Sequence, residues 1–470
     1  MQDYKSLGFK SGLEIHQQLS TKKLFCECPS VVNDENEPDI FFTRKLRAVA
    51  GELGTVDAAA LYEMKKRKLM KYEACSSSAC LVELDEEPPH ALNEEALKVA
   101  IQVSKLFNAT LVDEVQFMRK TVVDGSNVSG FQRTALIGFN GVVETTKGPV
   151  KIDTICLEEE SAKKLSSDES SVTYRLDRLG VPLIEVATDA SLKDPEHVAE
   201  VASLIGMVLR STNKVRRGIG SIRQDVNISI KGSARVELKG FQDIRTIVKV
   251  IENEVSRLQT VKEHKSEVRK VNADGSSSFL RPMPGAARMY PETDILTFPL
   301  TRELLLSIEV PELLSKKSSR LEKEFNINAD LAREVVDSEQ EFRVLLKKFS
   351  KLEPSFIAKV FIELPKEVRS RFNVVPNGTH VEEVLSLVSE HKIMKSSALD
   401  VLVLKAENKP LDLSKFQPLD DNKLRNDIRE LIKKFPEAKP NVVMGELMKE
   451  HRGRIDGKKA MELIQEVLKK

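Results

Sequence analysis

In the segment Gly12-Leu13-Glu14-Ile15-His16-Gln17, apolar and polar residues alternate. Successive side chains of a strand point to opposite faces, so Glu14 and His16 share one face and Leu13 and Ile15 the other. A carboxylate beside an imidazole is half of a divalent-cation site, although a solvated sheet face has the same pattern. A second constellation runs from Ser221 to Lys239. Val226, Ile228 and Ile230 alternate with Asp225, Asn227 and Ser229, Lys231-Gly232-Ser233 turns the chain, and Val236 and Leu238 alternate with Arg235, Glu237 and Lys239. This predicts a β-hairpin with one polar face carrying Arg223, Asp225, Asn227, Arg235, Glu237 and Lys239. Carboxylates hold hard cations, and Arg and Lys meet phosphate oxygens. The run Glu158-Glu159-Glu160 follows an apolar lead, and three adjacent acids repel unless solvated or neutralised by a cation. Glu185 stands alone in the apolar stretch Val181–Ala187, as an acid on an exposed face or in a site would. The chemistry indicated is metal-assisted phosphoryl transfer, in which positioning and charge neutralisation do most of the work.

Other chemistries find less support. The Gly-bearing stretches Met118–Thr134 and Arg281–Asp294 match neither G-x-x-x-x-G-K-[ST] nor G-x-G-x-x-G. No G-x-S-x-G and no Ser/His/Asp constellation is visible, and no amidase signature that would release ammonia from glutamine. Five cysteines occur, and four of them form two pairs, Cys26/Cys28 and Cys75/Cys80. Thiolates from two pairs suit tetrahedral Zn²⁺, with buried free thiols as the alternative; Cys156 is expected in the core.

The elements that must position these residues change character near residue 300. Before it, short alternating segments are broken by Gly, Asp and Ser turns, with helices expected over 93–106 and 195–209, the latter capped by Asp194, and over 248–258. The polar stretch 264–278 is expected to be a surface loop. Beyond Thr301 amphipathic helices are expected over 304–314, 330–336, 339–349, 381–390 and 393–404, then a linker at 407–420 and a helical tail broken by Pro436, Pro440, Gly453 and Gly457. With 41% hydrophobic and 31% charged residues, the 470-residue chain has the balance of a globular protein. No apolar run approaches a membrane span and no signal-peptide pattern opens the chain, so a cytoplasmic location is expected. Net charge is +1, so any nucleic-acid contact needs locally concentrated cations. With no Trp and five Tyr, an aromatic stacking platform is not expected.

The motifs GLEIHQQLSTKKLFCECPS, CLVELDEEPPH, MRKTVVDGSNVSGFQRT, CLEEESAKK, YRLDRLGVPLIEVAT, GIGSIRQDVNISI, ARVELKGFQD and LRPMPGAARMYPETDI stand in one order along the chain. Together they resemble the archaeal E-type subunits of Glu-tRNA(Gln) amidotransferases, a family that includes the bacterial B-type subunits. The end of the chain, VVMGELMKEHRGRIDGKKAMELIQEVL, resembles the tail of that family. The resemblance implies an α+β architecture. A glutamine-synthetase-like cradle with an antiparallel sheet would span residues 1–303, followed by an all-α domain over 304–415 and a small helical, tRNA-binding tail over 416–470. It implies a carbon–nitrogen ligase with glutamine as amido donor. ATP and Mg²⁺ would phosphorylate the glutamyl γ-carboxylate of Glu-tRNA(Gln). Ammonia from an asparaginase-like glutaminase partner, the D-type subunit of such enzymes, would then displace the phosphate. A heterotetramer is expected.

Carried over by position, the metal ligands are Glu14, His16, Glu159 and Glu237, with Glu185 nearby. Glu159 would need a bulge or strand end, since its parity opposes that of Glu158 and Glu160. Lys120 matches a catalytic lysine, and the nucleotide is expected on Arg223, Asp225, Lys239 and Arg288. The possible zinc site is Cys26, Cys28, Cys75 and Cys80. Two features depart from the pattern. Glu160-Ser161 replaces the usual Asp-Ala, and an inserted domain related to aspartyl-tRNA synthetase, expected between the 248–258 helix and Arg281, is absent. The alternatives are a bacterial B-type enzyme acting on Asp-tRNA(Asn) or Glu-tRNA(Gln), and a non-catalytic tRNA-binding scaffold.

Overall fold

The structure is a computed structural model. It describes the chain apart from Met1, residues 31–36, 51–53, 242, 264, 286–288, 418, 436–438, 452–453, 456 and 469–470. Arg288, Pro436 and Gly453 therefore lie outside the described residues. Two compact units are present, Met1–Leu313 and Leu314–Lys470. The first ends later than residue 303 because Leu304, Leu305, Ile308 and Leu313 pack on its core.

The first unit is built on an eleven-stranded sheet among the described residues. Its centre is the strand Lys10–Gln18, flanked by Pro182–Thr188 on one side and Ile222–Ser229 on the other. Outward from Pro182–Thr188 follow Val150–Glu159, Phe131–Val143 and Phe117–Thr121; outward from Ile222–Ser229 follow Val236–Phe241, Glu267–Val271 and Ser277–Pro282. Pairing in this sheet is antiparallel except between Val236–Phe241 and Glu267–Val271. The stretch 264–278 is thus largely a hairpin rather than a loop. Val268 is buried, Gly275 takes the positive φ the turn requires, and Arg269 bonds Ser277 across the pair.

Helices Glu94–Leu106 and Pro195–Ser211 cover one face of the sheet, and Ile247–Thr260 packs beside the second. Their starts are fixed locally: Asn93 accepts from Glu95 and Ala96 N–H, and Asp194 accepts from His197 N–H ahead of Pro195. The apolar residues of the strands, such as Leu13, Ile15, Ile184, Val186, Val226 and Leu238, bury against these helices. Burial on one face leaves the other face to the polar residues of the same strands.

A smaller sheet orders Ile40–Arg44, Leu69–Ala74, Ser171–Arg175 and Lys163–Ser167 around its own core of Met70, Tyr72, Val172 and Tyr174. The second unit is helical and has two apolar cores. One gathers residues between Leu321 and Val403; the other gathers Leu424, Ile428, Leu447, Ile464 and neighbours from the last three helices. The helix expected over 304–314 is Arg302–Ser307 only, and a helix the periodicity did not reveal runs from Leu314 to Phe325. Pro311 cannot continue a helix, which separates the two.

Candidate active site

Strand register decides which polar side chains meet. Glu14 lies opposite Asp225 on one neighbour and Ala187 on the other, and His16 opposite Arg223 and Glu185. Asn227 pairs with Glu237, and Glu158 faces Leu183 and Thr134. Same-face residues on adjacent strands approach within about 5 Å. The uncovered face of the sheet therefore forms a cleft of about 500 Å³. Glu14, His16, Glu158, Glu185, Asp225 and Glu237 line it, with Lys120, Arg223, Arg235, Lys239 and Arg281 among them.

His16 Nε2 is 3.0 Å from Glu185 Oε2, and its Nδ1 is 4.0 Å from Asp225 Oδ2. Lys239 Nζ bridges Asp225 (2.5 Å) and Glu237 (2.6 Å). Lys120 Nζ donates to Glu158 Oε1 at 2.6 Å and stands 3.7 Å from Glu185. Asn227 donates to Glu14 at 3.1 Å. The acids titrate in opposite directions. Burial, joined by the charge of Glu185, pushes Glu14 up to about 7. Burial also opposes the charge on Glu185, but Lys120 and His16 outweigh it and hold that carboxyl far below the usual range. Burial disfavours the imidazolium of His16, yet Glu185 and Asp225 raise its pKa. For Lys239 burial is likewise outweighed, by Asp225 and Glu237.

The donor set fits a divalent cation. Ligand atoms of Glu14, His16 and Asp225 lie within 4.8 Å of one another, and so do those of His16, Glu158 and Glu185. These are oxygen-rich sets suited to a hard ion. Glu14, forced toward its neutral form by burial and a neighbouring acid, is a carboxylate that a cation would relieve.

Glu159 is not brought to this cluster. No bulge turns it over, so it projects through the opposite face, where Arg133 Nη1 lies 3.2 Å from its Oε1. Arg133 also binds Glu292 at 2.7 Å, and Arg119 completes the same group. Burial raises Glu159, with Arg133 opposing. Glu158 takes the place expected of Glu159. Glu160, on the parity of Glu158, is buried and holds Arg223 at 2.7 Å, which sets that guanidinium at the cleft. Cys156 is not on the apolar side of its strand; it pairs with Glu185 and is half-buried.

The cysteines also rearrange. Cys26, Cys28 and Cys80 gather with Glu83, their ligand atoms within 4.8 Å of one another. Cys75 is elsewhere, its sulfur accepting from Arg175 Nη2 at 2.9 Å. Glu83 accepts from Cys26 Sγ and from Cys80 N–H, and the buried Lys23 Nζ stands 3.6 Å away without a hydrogen bond. Burial and the charge of Glu83 raise the Cys26 thiol, and the same causes carry Cys28 to about 11. Three thiols and a carboxylate match a four-ligand metal site.

Sequence reasoning missed Gln132, Lys164, Arg178 and Arg281 as cleft residues. Gln132 was within reach: it pairs with Lys120 and donates to Glu158 at 3.2 Å. Arg178 and Arg281 sit beyond strand ends or on the sheet edge, where periodicity carries no signal.

Residues 9–306 match the GatB/GatE catalytic domain family. The chain is 34% identical to the E subunit of the glutamyl-tRNA(Gln) amidotransferase of Methanosarcina barkeri, covering 100% of this chain and 98% of that protein. It is 34% identical to the E subunit of Archaeoglobus fulgidus (100% and 99%), and 33% identical to that of Methanocaldococcus jannaschii (99% of each). The Methanosarcina alignment spans 625 positions against 470 residues here, so 155 of its positions have no counterpart in this chain (625 − 470). A compact member without an inserted domain is compatible with that difference. The chain belongs to the GatB/GatE family of amidotransferase subunits.

Proposed function

We propose that this chain converts Glu-tRNA(Gln) to Gln-tRNA(Gln) in two steps within the cleft. First, a carboxylate oxygen of the glutamyl group attacks the γ-phosphorus of ATP, and the bond to the leaving ADP oxygen breaks. Ammonia then attacks the acyl carbon, phosphate departs with the C–O bond electrons, and the amide loses a proton to solvent. The observation that supports this reading is the convergence in one cleft of the cations Lys120, Arg223, Arg235 and Lys239 with the acids Glu14, Glu158, Glu185 and Asp225 and the imidazole of His16.

In this reading the cations neutralise phosphate oxygens and orient the two substrates. Lys120, held by Glu158 and Glu185, would meet the transferred group. Arg223 is fixed by Glu160, and Lys239 by Asp225 and Glu237. Mg²⁺ held by Glu14, His16 and Asp225, with Glu158 and Glu185 adjacent, would supply charge neutralisation of the triphosphate. Glu237 supports Lys239 in this scheme.

The relatives are named as subunits, which supports a partner for this chain. We assign that partner as the asparaginase-like, D-type glutaminase subunit, which would make the ammonia. The tail 416–470 is assigned to tRNA, and a structural Zn²⁺ to Cys26, Cys28, Cys80 and Glu83. No described helix is long and apolar enough to cross a membrane, in keeping with the cytoplasmic location proposed. The test is ADP formation that requires both Glu-tRNA(Gln) and Mg²⁺ and falls at least 100-fold in Asp225→Asn. ADP formation that ignores the tRNA would refute the assignment.

A further inference from the structure

Among the described residues six carboxylates line the cleft: Glu14, Asp124, Glu158, Glu185, Asp225 and Glu237. Five are accounted for. Glu14, Glu158, Glu185 and Asp225 belong to the two groups that fit a cation, and Glu237 pairs with Lys239. Asp124 belongs to neither group and makes no ion pair among the described residues. Its Oδ1 accepts from the N–H and the hydroxyl of Ser126, at 2.9 and 2.6 Å, while its Oδ2 takes no hydrogen bond among the described residues.

The backbone fixes this carboxylate in place. Asp124 is half-buried on the loop 122–130, which the Val122 N–H closes by donating to the Gly130 carbonyl at 2.8 Å. The Tyr174 hydroxyl donates to the Asp124 carbonyl and the Tyr72 hydroxyl to that of Gly125, each at 2.9 Å. The Ala162 N–H donates to the Ser126 carbonyl at 2.8 Å, tying the loop to the chain just past Glu158. Lys120, Val122 and Asp124 all line the cleft, as alternating residues do. Four residues of extended chain put the Cα atoms of Lys120 and Asp124 at most about 14 Å apart, and the lysine side chain covers part of that span. A ligand joining their charged ends carries an anion at Lys120 and a cation at Asp124. Glutamate esterified to tRNA has this form: the ester uses its α-carboxyl, which leaves a γ-carboxylate and an α-ammonium.

We infer that Asp124 Oδ2 accepts a hydrogen bond from the α-ammonium of the glutamyl group and thereby aims the γ-carboxylate at Lys120. The inference rests on the amidation reading proposed above and names the residue that orients its acyl substrate. A hydrogen bond between two charged partners is stronger than one with a neutral partner, and a site built around it rejects an analogue that lacks the charge. The cations at this end of the cleft do not occupy the carboxylate: Arg178 donates to the Ser161 and Ala162 carbonyls, and Lys164 is exposed.

The test compares Glu-tRNA(Gln) with the same tRNA carrying 2-hydroxyglutarate, an ester of nearly the same shape without the α-charge. Both are amidated by the full chain with ATP, Mg²⁺ and ammonium chloride. The wild type is expected to favour the amino ester about tenfold in kcat/KM, the difference between a charged and a neutral partner. Asp124→Asn should lose about tenfold on the amino ester and hardly distinguish the two esters, because both changes delete one interaction and do not add. Asn retains a side-chain carbonyl to accept from Ser126, so the loop persists, and an unchanged melting temperature checks this. Ser126→Ala, which disturbs the turn but leaves the carboxylate, should keep the preference for the amino ester. An equal loss by Asp124→Asn on both esters overturns the inference and gives Asp124 another task, such as taking a proton from ammonium. A wild type indifferent to the α-charge, or an Asp124→Asn variant that matches the wild type, overturns it as well and leaves the amidation reading intact. No conversion of Glu-tRNA(Gln) by the wild type sinks the reading beneath it.

Discussion

Lys120 Nζ donates to Glu158 Oε1 at 2.6 Å on the cleft face of the large sheet, while the next residue, Glu159, is held by Arg133 on the opposite face. Adjacent acids on one strand thus serve different ends. Glu158→Gln should cut turnover at least 100-fold with little change in melting, because it removes the charge that places Lys120 at the substrates. Glu159→Gln should leave turnover of the folded protein within a few-fold but cost about 1–3 kcal/mol of stability, since Arg133 keeps Glu292 but loses one of its two buried carboxylates. Steady-state kinetics with denaturant midpoints on both variants decides the matter. The reverse pattern would restore Glu159 to the site.

Metal content distinguishes the cysteines. Cys80→Ser and Cys26→Ser should lose bound zinc, measured by elemental analysis of the purified chain, whereas Cys75→Ser should retain it because Cys75 is engaged by Arg175 instead. Glu83→Gln should weaken zinc retention. Loss of zinc in Cys75→Ser with retention in Cys80→Ser would contradict the arrangement.

Removing residues 416–470 should raise KM for Glu-tRNA(Gln) roughly tenfold while lowering kcat less, and the effect should shrink at high salt as backbone contacts are screened. That tail has its own apolar core, including Ile428, Leu447 and Ile464, so its removal leaves the first unit's core untouched. An unchanged KM at moderate salt refutes a tRNA role for the tail.

Acid sensitivity should appear in the helical unit at Glu339. Although burial opposes its charge, Lys317, Arg343 and Arg320 hold its pKa at about 2. A depressed carboxyl contributes stability above its unfolded pKa of about 4.3, and that contribution is lost as pH falls through the folded value. Glu339→Gln should therefore lower stability by about 1–2 kcal/mol at pH 7, allowing for the partial exposure of its partners, and the deficit should fade between about pH 5 and pH 2. A deficit that persists at pH 2 excludes this ion-pair cluster as its source.

Period-two alternation made much of the site legible. It placed Glu14 and His16 on one face, and Asp225, Glu237 and Lys239 on one hairpin, and all five line the cleft. Parity sets Glu158 and Glu160 opposite Glu159, but with Cys156 expected in the core it gave no sign that their side faces the cleft. Position matching chose Glu159, and a run of three identical residues offers no internal marker of which one turns inward. The pairing of Cys80 with Glu83 depends on how the turn after Cys75 closes, a tertiary matter that spacing does not encode. The strand pair at 267–282 was missed because its residues are polar on both sides of the turn and only Val268 is fully buried. Beyond residue 300, helices were legible where apolar residues recur cleanly, and were misplaced around Pro311, where periodicity continues across a residue that interrupts the backbone hydrogen bonds.

The central claim is that this cleft activates a glutamyl carboxylate for ammonia. The most direct measurement supplies the purified chain with Glu-tRNA(Gln), ATP, Mg²⁺ and ammonium chloride, without a glutaminase, and assays the amino acid released from the tRNA. Formation of glutamine on the tRNA, dependent on ATP and abolished in Glu158→Gln and Asp225→Asn, is the predicted result. Glutamate alone on the tRNA at saturating ammonium, from a protein that binds the tRNA, would contradict it.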